Sequence, residues 1–432
     1  MNISRRQLFK TASMASAGAV ASAFSARGPD GMAREEQLPP LPPAFDKLKP
    51  LGDRVKPISK EEFKARIAQA QKRMAEAKPR FDALYITPGT SLEYFARIRW
   101  WPSERLLALL LPRQGEAVLI CPAFEEARLR QQLLWPIEVR AWQEDESPYA
   151  LAAKSLAERG IRTGTVGIEE TTRFMFFDGL RQAAPGLFYR SATPVTAGCR
   201  AQKSSHELEL MRLACEATCD VYRAAFASLR EGMKQSELAD MIVRGYKRMA
   251  LEGDVFVLFG PAAAFPHGTR EDRALREGDA VLMDDGTSIE GYQSDVTRTG
   301  VFGKPSADIA RAFEIVRRAQ DAALAAAVAG HECGSVDDAA RKVIVDAGYG
   351  PGYKYFPHRI GHGIGMDGHE WPYLVRGNRT ILKPGMTFSN EPGIYVPGEF
   401  GLRLEDDMVI SETGAATLLT PGFAPSLENP VG

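Results

Sequence analysis

Five residues in the C-terminal half of the chain constrain its fold most: Asp284, Asp295, His362, Glu391 and Glu405. Asp284 closes the apolar run Ala280-Val281-Leu282-Met283, and Asp295 follows in Ser294-Asp295-Val296-Thr297-Arg298. His362 sits in Gly361-His362-Gly363-Ile364-Gly365, where glycines allow close backbone approach. Glu391 opens Glu391-Pro392-Gly393, and Glu405 opens Glu405-Asp406-Asp407. Singly, each has an ordinary explanation. Asp284 and Asp295 read as turn or cap residues of a hairpin around Gly286 and Gly291, and Glu405 as part of a solvated acidic run. Gathered at one site, four carboxylates and one imidazole carry too much negative charge for a low-dielectric interior without cations. Two divalent ions resolve that charge. Oxygen-rich ligation with one imidazole favours a hard or borderline ion, Mn²⁺ first, with Zn²⁺, Co²⁺ or Fe²⁺ as alternatives. A structural zinc site would more often use thiolates. A metal pair can generate hydroxide near neutral pH and stabilise a developing oxyanion, which points to hydrolysis rather than binding alone.

Composition is that of an ordinary globular protein. The 432 residues suggest two or three domains. The net charge of −1, with no basic block, argues against a nucleic-acid partner. Five cysteines (Cys121, Cys199, Cys215, Cys219, Cys333) form no CxxC pattern, and their odd number argues against a disulfide-stapled fold. Cys215 and Cys219 read as small buried side chains of a helix.

The N-terminus reads as a targeting segment over 1–28. Ser4-Arg5-Arg6-Gln7-Leu8-Phe9-Lys10 resembles the twin-arginine export motif, and a mildly apolar stretch from Thr11 to Phe24 follows. That stretch is too short to span a bilayer stably. The expected location is the bacterial envelope, periplasmic or secreted. Prolines 39, 40, 42, 43, 50 and 57 make 29–57 read as a linker, with structure expected from Ile58. Ser59 and Glu62 form a capping-box signature for a helix reaching about Ala77.

Apolar runs at 82–87, 106–111, 117–121 and 165–168 read as buried strands, and 125–134 and 148–159 as helices. They predict a small α/β domain over 58–196 with no catalytic constellation. Trp100-Trp101 reads as ordinary packing in preference to cover for an active site. The second domain, 197–432, is predicted to open with helices at 205–229 and 236–251, and to carry others near 308–329 and 335–347 between ligand-bearing strands. His206 and His331 read as surface residues.

The segments LMDDGTSIEGYQSDVTRTG, FPHRIGHGIGMDGHE, KPGMTFSNEPGIYV and GLRLEDDMVI resemble the creatinase/prolidase/methionine-aminopeptidase superfamily, the pita-bread metallopeptidases. The resemblance is closest to Xaa-Pro dipeptidases and aminopeptidases. It spans most of the chain from Arg200 onward, and more weakly 58–196. It implies a two-domain α+β or α/β architecture: a creatinase-like N-terminal α/β domain and a C-terminal pita-bread catalytic domain. In that resemblance Asp284 matches a terminal ligand of one metal, Asp295 and Glu405 match bridging ligands, and His362 and Glu391 match ligands of the other metal. Glu391 also matches the general base. His369 and His267 match imidazoles on the substrate side, and His358 matches one lining the pocket for the residue after the scissile bond. Arg403 matches a group that orients ligands. Asp285 matches no role. The expected substrates are small proline-containing peptides, and the expected assembly is a dimer or tetramer. Many prolidases carry an arginine soon after the second histidine to pair with a dipeptide's free carboxylate. Here Tyr373 follows His369-Glu370-Trp371-Pro372, with Arg376 and Arg379 beyond as substitutes, so dipeptidase and aminopeptidase both stay open. Two other readings compete. One is a creatinase-like or other small-molecule hydrolase or lyase; the other is a binding protein of the same fold that has lost catalysis. The complete ligand set disfavours both.

Overall fold

The computed structural model describes residues 39–421 and 425–432. The segment Ser4–Lys10, read from sequence as resembling an export motif, lies outside the described residues. In the N-terminal domain, β1 (Ala83–Ile86), β2 (Ala108–Pro112), β3 (Val118–Pro122), β4 (Glu138–Trp142), β5 (Gly164–Ile168) and β6 (Leu187–Ser191) form one mixed sheet, ordered β4-β3-β2-β1-β5-β6. Strict alternation along the central strands covers both faces. Leu84, Ile86, Leu109, Leu111 and Leu119 enter one apolar cluster, and Ala83, Tyr85, Leu110, Val118 and Ile120 enter the other. The helices are α1 (Lys60–Glu76), α2 (Thr90–Ala96), α3 (Glu126–Gln132), α4 (Pro148–Glu158), α5 (Phe174–Ala183) and α6 (Thr196–Arg200). The capping box at Ser59 and Glu62 is formed and starts α1.

Sequence reading missed β4 and β6. These are the two edge strands; their mixed polarity and partial exposure leave no apolar run to detect. The Trp100-Trp101 reading also needs correction. Trp100 is half-buried under the Arg128 guanidinium, 4.7 Å from its ring centre, but Trp101 is 69% exposed. The surrounding segment, 97–107, is an irregular loop after α2 that leaves this ring largely in solvent.

The expectation that ordered structure begins at Ile58 is corrected as well. Single-turn helices form at Pro43–Lys47 and Gly52–Arg54, and Phe45 is fully buried. Proline rules out a long helix but fits the first turn, so the segment becomes a packed strap. Gly245 makes room for the Phe45 ring, and Arg54 pairs with Glu216 at 2.6 Å. His206, expected at the surface, is partly buried beneath the strap. Its ring nitrogens lie 2.8 Å from Glu62 and 3.0 Å from the Lys56 carbonyl.

The C-terminal domain repeats one pattern: two helices, then strands that bring in carboxylates. First come α7 (Ser205–Phe226) and α8 (Gln235–Arg248). They precede β7 (Phe256–Phe259), β8 (Ala280–Asp284), β9 (Ser288–Ile289), β10 (Tyr292–Gln293) and β11 (Arg298–Val301). Next come α9 (Ala307–Ala326) and α10 (Cys333–Asp346). They precede β12 (Gly361–Gly363), β13 (Glu370–Leu374), β14 (Thr387–Asn390), β15 (Gly393–Val396), β16 (Phe400–Arg403), β17 (Asp406–Ile410) and β18 (Ala416–Leu418). The first strand set pairs in the order β11-β8-β7, with β9-β10 a separate hairpin; the second pairs as β13-β12-β14-β17-β18, with β15-β16 apart. Glu290 and Gly291 both hold positive φ in the two-residue turn of β9-β10, as a tight hairpin requires. All five cysteines are buried and free. No described helix is long and apolar enough to cross a membrane.

Candidate metal centre

Strand ends deliver the five residues to one place. Asp284 is the last residue of β8, and Asp295 lies between β10 and β11. His362 is the middle of β12, while Glu391 and Glu405 stand between β14 and β15 and between β16 and β17. Backbone bonds fix the two glutamates: the Glu391 N–H donates to the Ile360 carbonyl at 2.8 Å, and the Glu405 N–H to that of Thr297 at 3.1 Å. The ligand atoms then fall into overlapping groups. Asp284, Asp295 and Glu405 present oxygens within 4.8 Å of one another, and so do the donor atoms of His362, Glu391 and Glu405. Glu405 belongs to both.

The electrostatics shows that these groups fit cations. The His362 Nδ1 lies 3.1 Å from the Gly363 carbonyl, so Nδ1 carries the proton and Nε2 is left as a lone pair. That lone pair faces carboxylate oxygens of Asp295 at 3.6 Å and Glu391 at 3.5 Å. Two acceptors cannot bond each other, so a proton or a metal must stand between them. Burial, then the charge of Asp284, holds Asp295 well above the usual carboxylate range. Burial, then Asp295, does the same to Glu405, and burial pushes Glu391 up to about 8 against the opposing pull of Arg403. Burial, and then His369, keeps His362 neutral. Without a cation the buried carboxylates therefore hold protons, and together with the neutral His362 lone pair they form a donor set suited to divalent ions.

A testable consequence concerns the chelator-treated protein. Raised native pKa values mean that the folded state binds more protons than the unfolded chain between about 4.5 and about 8 for Glu391. Stability of the metal-free protein is expected to fall as pH rises through that window. Added Mn²⁺ is expected to reverse the trend, because ligation needs deprotonated carboxylates. Urea denaturation across the window checks this; a flat or rising profile with chelator overturns it.

The other anticipated residues surround the five. Arg403 is buried, and its guanidinium bonds Asp284, the Thr297 hydroxyl (2.9 Å), the Tyr395 hydroxyl (2.8 Å) and the Pro266 carbonyl (3.0 Å). His369 is exposed and stacks on His362, with ring centres 3.7 Å apart. His267 is also exposed, on the loop after Phe265, close enough for its charge to bias both His358 and His369. For His358 the geometry narrows the expected substrate role. Its Nδ1 donates to the Arg359 carbonyl at 2.9 Å, and its Nε2 accepts from the Tyr395 hydroxyl at 2.8 Å. Burial, with Arg403, pushes it down to about 3. With both nitrogens engaged, it offers a substrate only the carbon edge of its ring. Asp285 sits at an exposed rim with a φ of 118°.

Several participants escaped the sequence reading. The Thr297 hydroxyl lies between Asp284 and Glu405, 2.6 Å from the latter, and its single proton serves one carboxylate at a time. Tyr395 links Arg403 to His358. Asp406 and Asp407 are not a solvated run: both are buried. Asp406 accepts from Arg298 at 2.6 Å, and Asp407 accepts from the Asp295 N–H at 3.1 Å. Arg359 also escaped notice, although it lies inside the quoted His358–Gly365 block. Its Nη2 lies 3.3 Å from the His369 Nδ1. A guanidinium only donates, so His369 Nδ1 accepts and its proton sits on Nε2. Arg376, by contrast, is exposed and tied to Asp338 at 3.0 Å, and Arg379 is exposed.

Comparison with known proteins identifies the family. Metallopeptidase family M24 matches residues 209–412, and the Creatinase/Prolidase N-terminal domain matches 66–202. A Mycobacterium bovis protein named probable dipeptidase PepE is 36% identical over 366 residues, 83% of this chain and 94% of its own length. The crystal structure of dipeptidase PepE from Mycobacterium ulcerans has a TM-score of 0.78 at 35% identity, covering 84% of this chain and 97% of that one. That of a Thermococcus sibiricus prolidase has a TM-score of 0.75 at 33% identity, covering 83% and 96%. With both domains matched in order, relatives covered almost end to end, and the carboxylate–imidazole cluster in the matched catalytic half, this chain belongs to metallopeptidase family M24 and is a hydrolase of that family.

Proposed function

We propose that this protein is a dinuclear metal-dependent peptidase that hydrolyses the Xaa-Pro bond of dipeptides or of short peptide N-termini. The observation that carries the reading is the pair of overlapping ligand groups joined at Glu405. Asp284, Asp295 and Glu405 would hold one ion, and His362, Glu391 and Glu405 the other, with Asp295 facing both. Bound divalent ions, Mn²⁺ first, would supply Lewis acidity and an activated water. The rest is the work of the chain's own residues. Glu391, whose carboxylate stands beside His362 and Glu405, would take a proton from the activated water and return it. His369, with its proton on Nε2, can donate to a developing oxyanion, and His267 can support it from the opposite loop. Arg403 holds Asp284 and Thr297 in place. Relatives named dipeptidase and prolidase support a short peptide as substrate. Export to the bacterial envelope through the twin-arginine-like segment, and assembly into dimers or tetramers, belong to the same proposal.

The test follows released alanine from Ala-Pro and from Ala-Pro-Ala-Ala with Mn²⁺-loaded protein, with and without chelator. Chelator-sensitive cleavage of Ala-Pro is the expected result. Cleavage of neither peptide would exclude the Xaa-Pro reading and favour a small-molecule hydrolase of the same fold.

A further inference from the structure

His369 reaches the site on an irregular piece of chain. Residues 365–369 form a bend between β12 and β13, and the His369 side chain is exposed. Its ring touches the His362 ring and the Arg359 guanidinium. Where the ring stands is therefore set largely by the backbone on either side of it. Each side carries a carboxylate: Asp367 two residues before, and Glu370 one residue after.

Both carboxylates are tied toward the N-terminal domain. Asp367 accepts from the Thr90 hydroxyl at the start of α2 and lies 3.2 Å from the Arg200 guanidinium. Glu370 is buried, pairs with Lys203 at 2.5 Å and lies 3.6 Å from Arg200. Arg200, the last residue of α6, is itself buried; it also faces Glu170 at 3.6 Å and the Ser91 hydroxyl at 3.4 Å. One guanidinium thus joins two segments of the N-terminal domain to both flanks of His369. The last glycine of the Gly361–Gly365 run belongs to the same arrangement. A Cβ at Gly365 would stand 2.6 Å from the Glu370 Oε1 and 2.7 Å from the Lys203 Cε, so glycine leaves the room that this buried pair occupies.

Resting on the proposed peptidase reading, we infer that Arg200 is a positioning residue: through Asp367 and Glu370 it sets His369 against the metal centre, so that the N-terminal domain holds the substrate-side imidazole in place. Buried ion pairs are poor sources of stability, because desolvation offsets the Coulomb gain. A planar guanidinium with fixed donor directions is, however, a good device for fixing where its partners stand. The N-terminal domain supplies no ligand and no acid or base. Its contribution is to hold a bend that the C-terminal domain leaves outside its strands.

The test measures kcat and KM for Ala-Pro, and bound Mn²⁺ per chain, in Arg200→Lys and Asp367→Asn, each made in wild-type and in His369→Gln protein. Lysine keeps the charge without the fork, and asparagine keeps the shape of Asp367 without its charge. Both single variants are expected to lose about tenfold to a hundredfold in kcat, as a misplaced group does, with KM and Mn²⁺ content close to wild type. In the His369→Gln background the same substitutions are expected to change kcat by less than about twofold, because the group they position is gone. Equal losses in both backgrounds, a higher KM at unchanged kcat, or loss of bound Mn²⁺ overturns the inference while leaving the peptidase reading intact. If His369→Gln turns over too slowly to measure, kcat, KM and Mn²⁺ content in the single variants decide. Asp367 is 36% exposed, so its variant stands in if Arg200→Lys does not fold. If proline is not required, the same constants are read on Ala-Ala. Failure of wild type to cleave either peptide removes the peptidase reading and this inference together.

Discussion

Asp295→Asn is expected to lower peptide turnover at least about a thousandfold, a barrier increase of about 4 kcal/mol. Asp295 faces the oxygens of Asp284 and Glu405 on one side and the Nε2 of His362 on the other. Replacing one carboxylate oxygen by an amide group removes the charge and puts a donor where a cation must bind. The fold is expected to survive. Asp295 is anchored by its backbone N–H to Asp407 at 3.1 Å, and asparagine keeps that bond. The metal-free variant is expected to be at least as stable as wild type near neutral pH. Burial and the charges of Asp284 and its neighbours penalise the carboxylate there, and asparagine carries no such penalty. Turnover of Ala-Pro and urea denaturation of chelator-treated protein check both halves. Undiminished turnover sinks the metal-centred reading.

Arg403→Met should do the opposite to stability. Arg403 is the buried counter-charge of Asp284 and lies 3.9 Å from Glu405. Methionine fills similar space but leaves buried carboxylates without their cation, at a cost of about 3–5 kcal/mol. The Thr297 and Tyr395 hydroxyls also lose a donor, and the Pro266 carbonyl, which fixes the loop before His267, is released. The metal-free variant is therefore expected to unfold at clearly lower urea than wild type. Arg403→Lys, keeping the charge without the fork, should recover part of the difference. An unchanged midpoint for the methionine variant would show that Asp284 does not depend on this guanidinium. The two substitutions separate charge that needs metal from charge that the protein already neutralises.

Much of this centre could be read from short stretches of sequence. Asp284, His362 and Glu391 announce themselves because each sits where local chemistry restricts the backbone: after a buried apolar run, between glycines, and before proline. The helix start at Ser59 was legible for the same reason, since a capping box closes within four residues. Central strands showed as apolar runs because both faces are covered. The edge strands did not, and the strap around Phe45 was hidden by prolines that exclude long helices but not packing.

Local sequence therefore determined which side chains could bind metal, which segments could be helices or buried strands, and the order in which they come. Tertiary structure alone decided which charge neutralises which. Asp406 and Asp407 look like a solvated run until β17 is buried against β14 and Arg298 arrives from more than 100 positions away. Arg359 looks like an exposed cation until β13 brings the Tyr373 ring beneath it. Trp101, next to a half-buried neighbour, is left 69% exposed. The reason is physical: backbone preference is set by the nearest few residues, whereas the energy of a buried charge is set by everything within several ångströms, whatever its place in the chain.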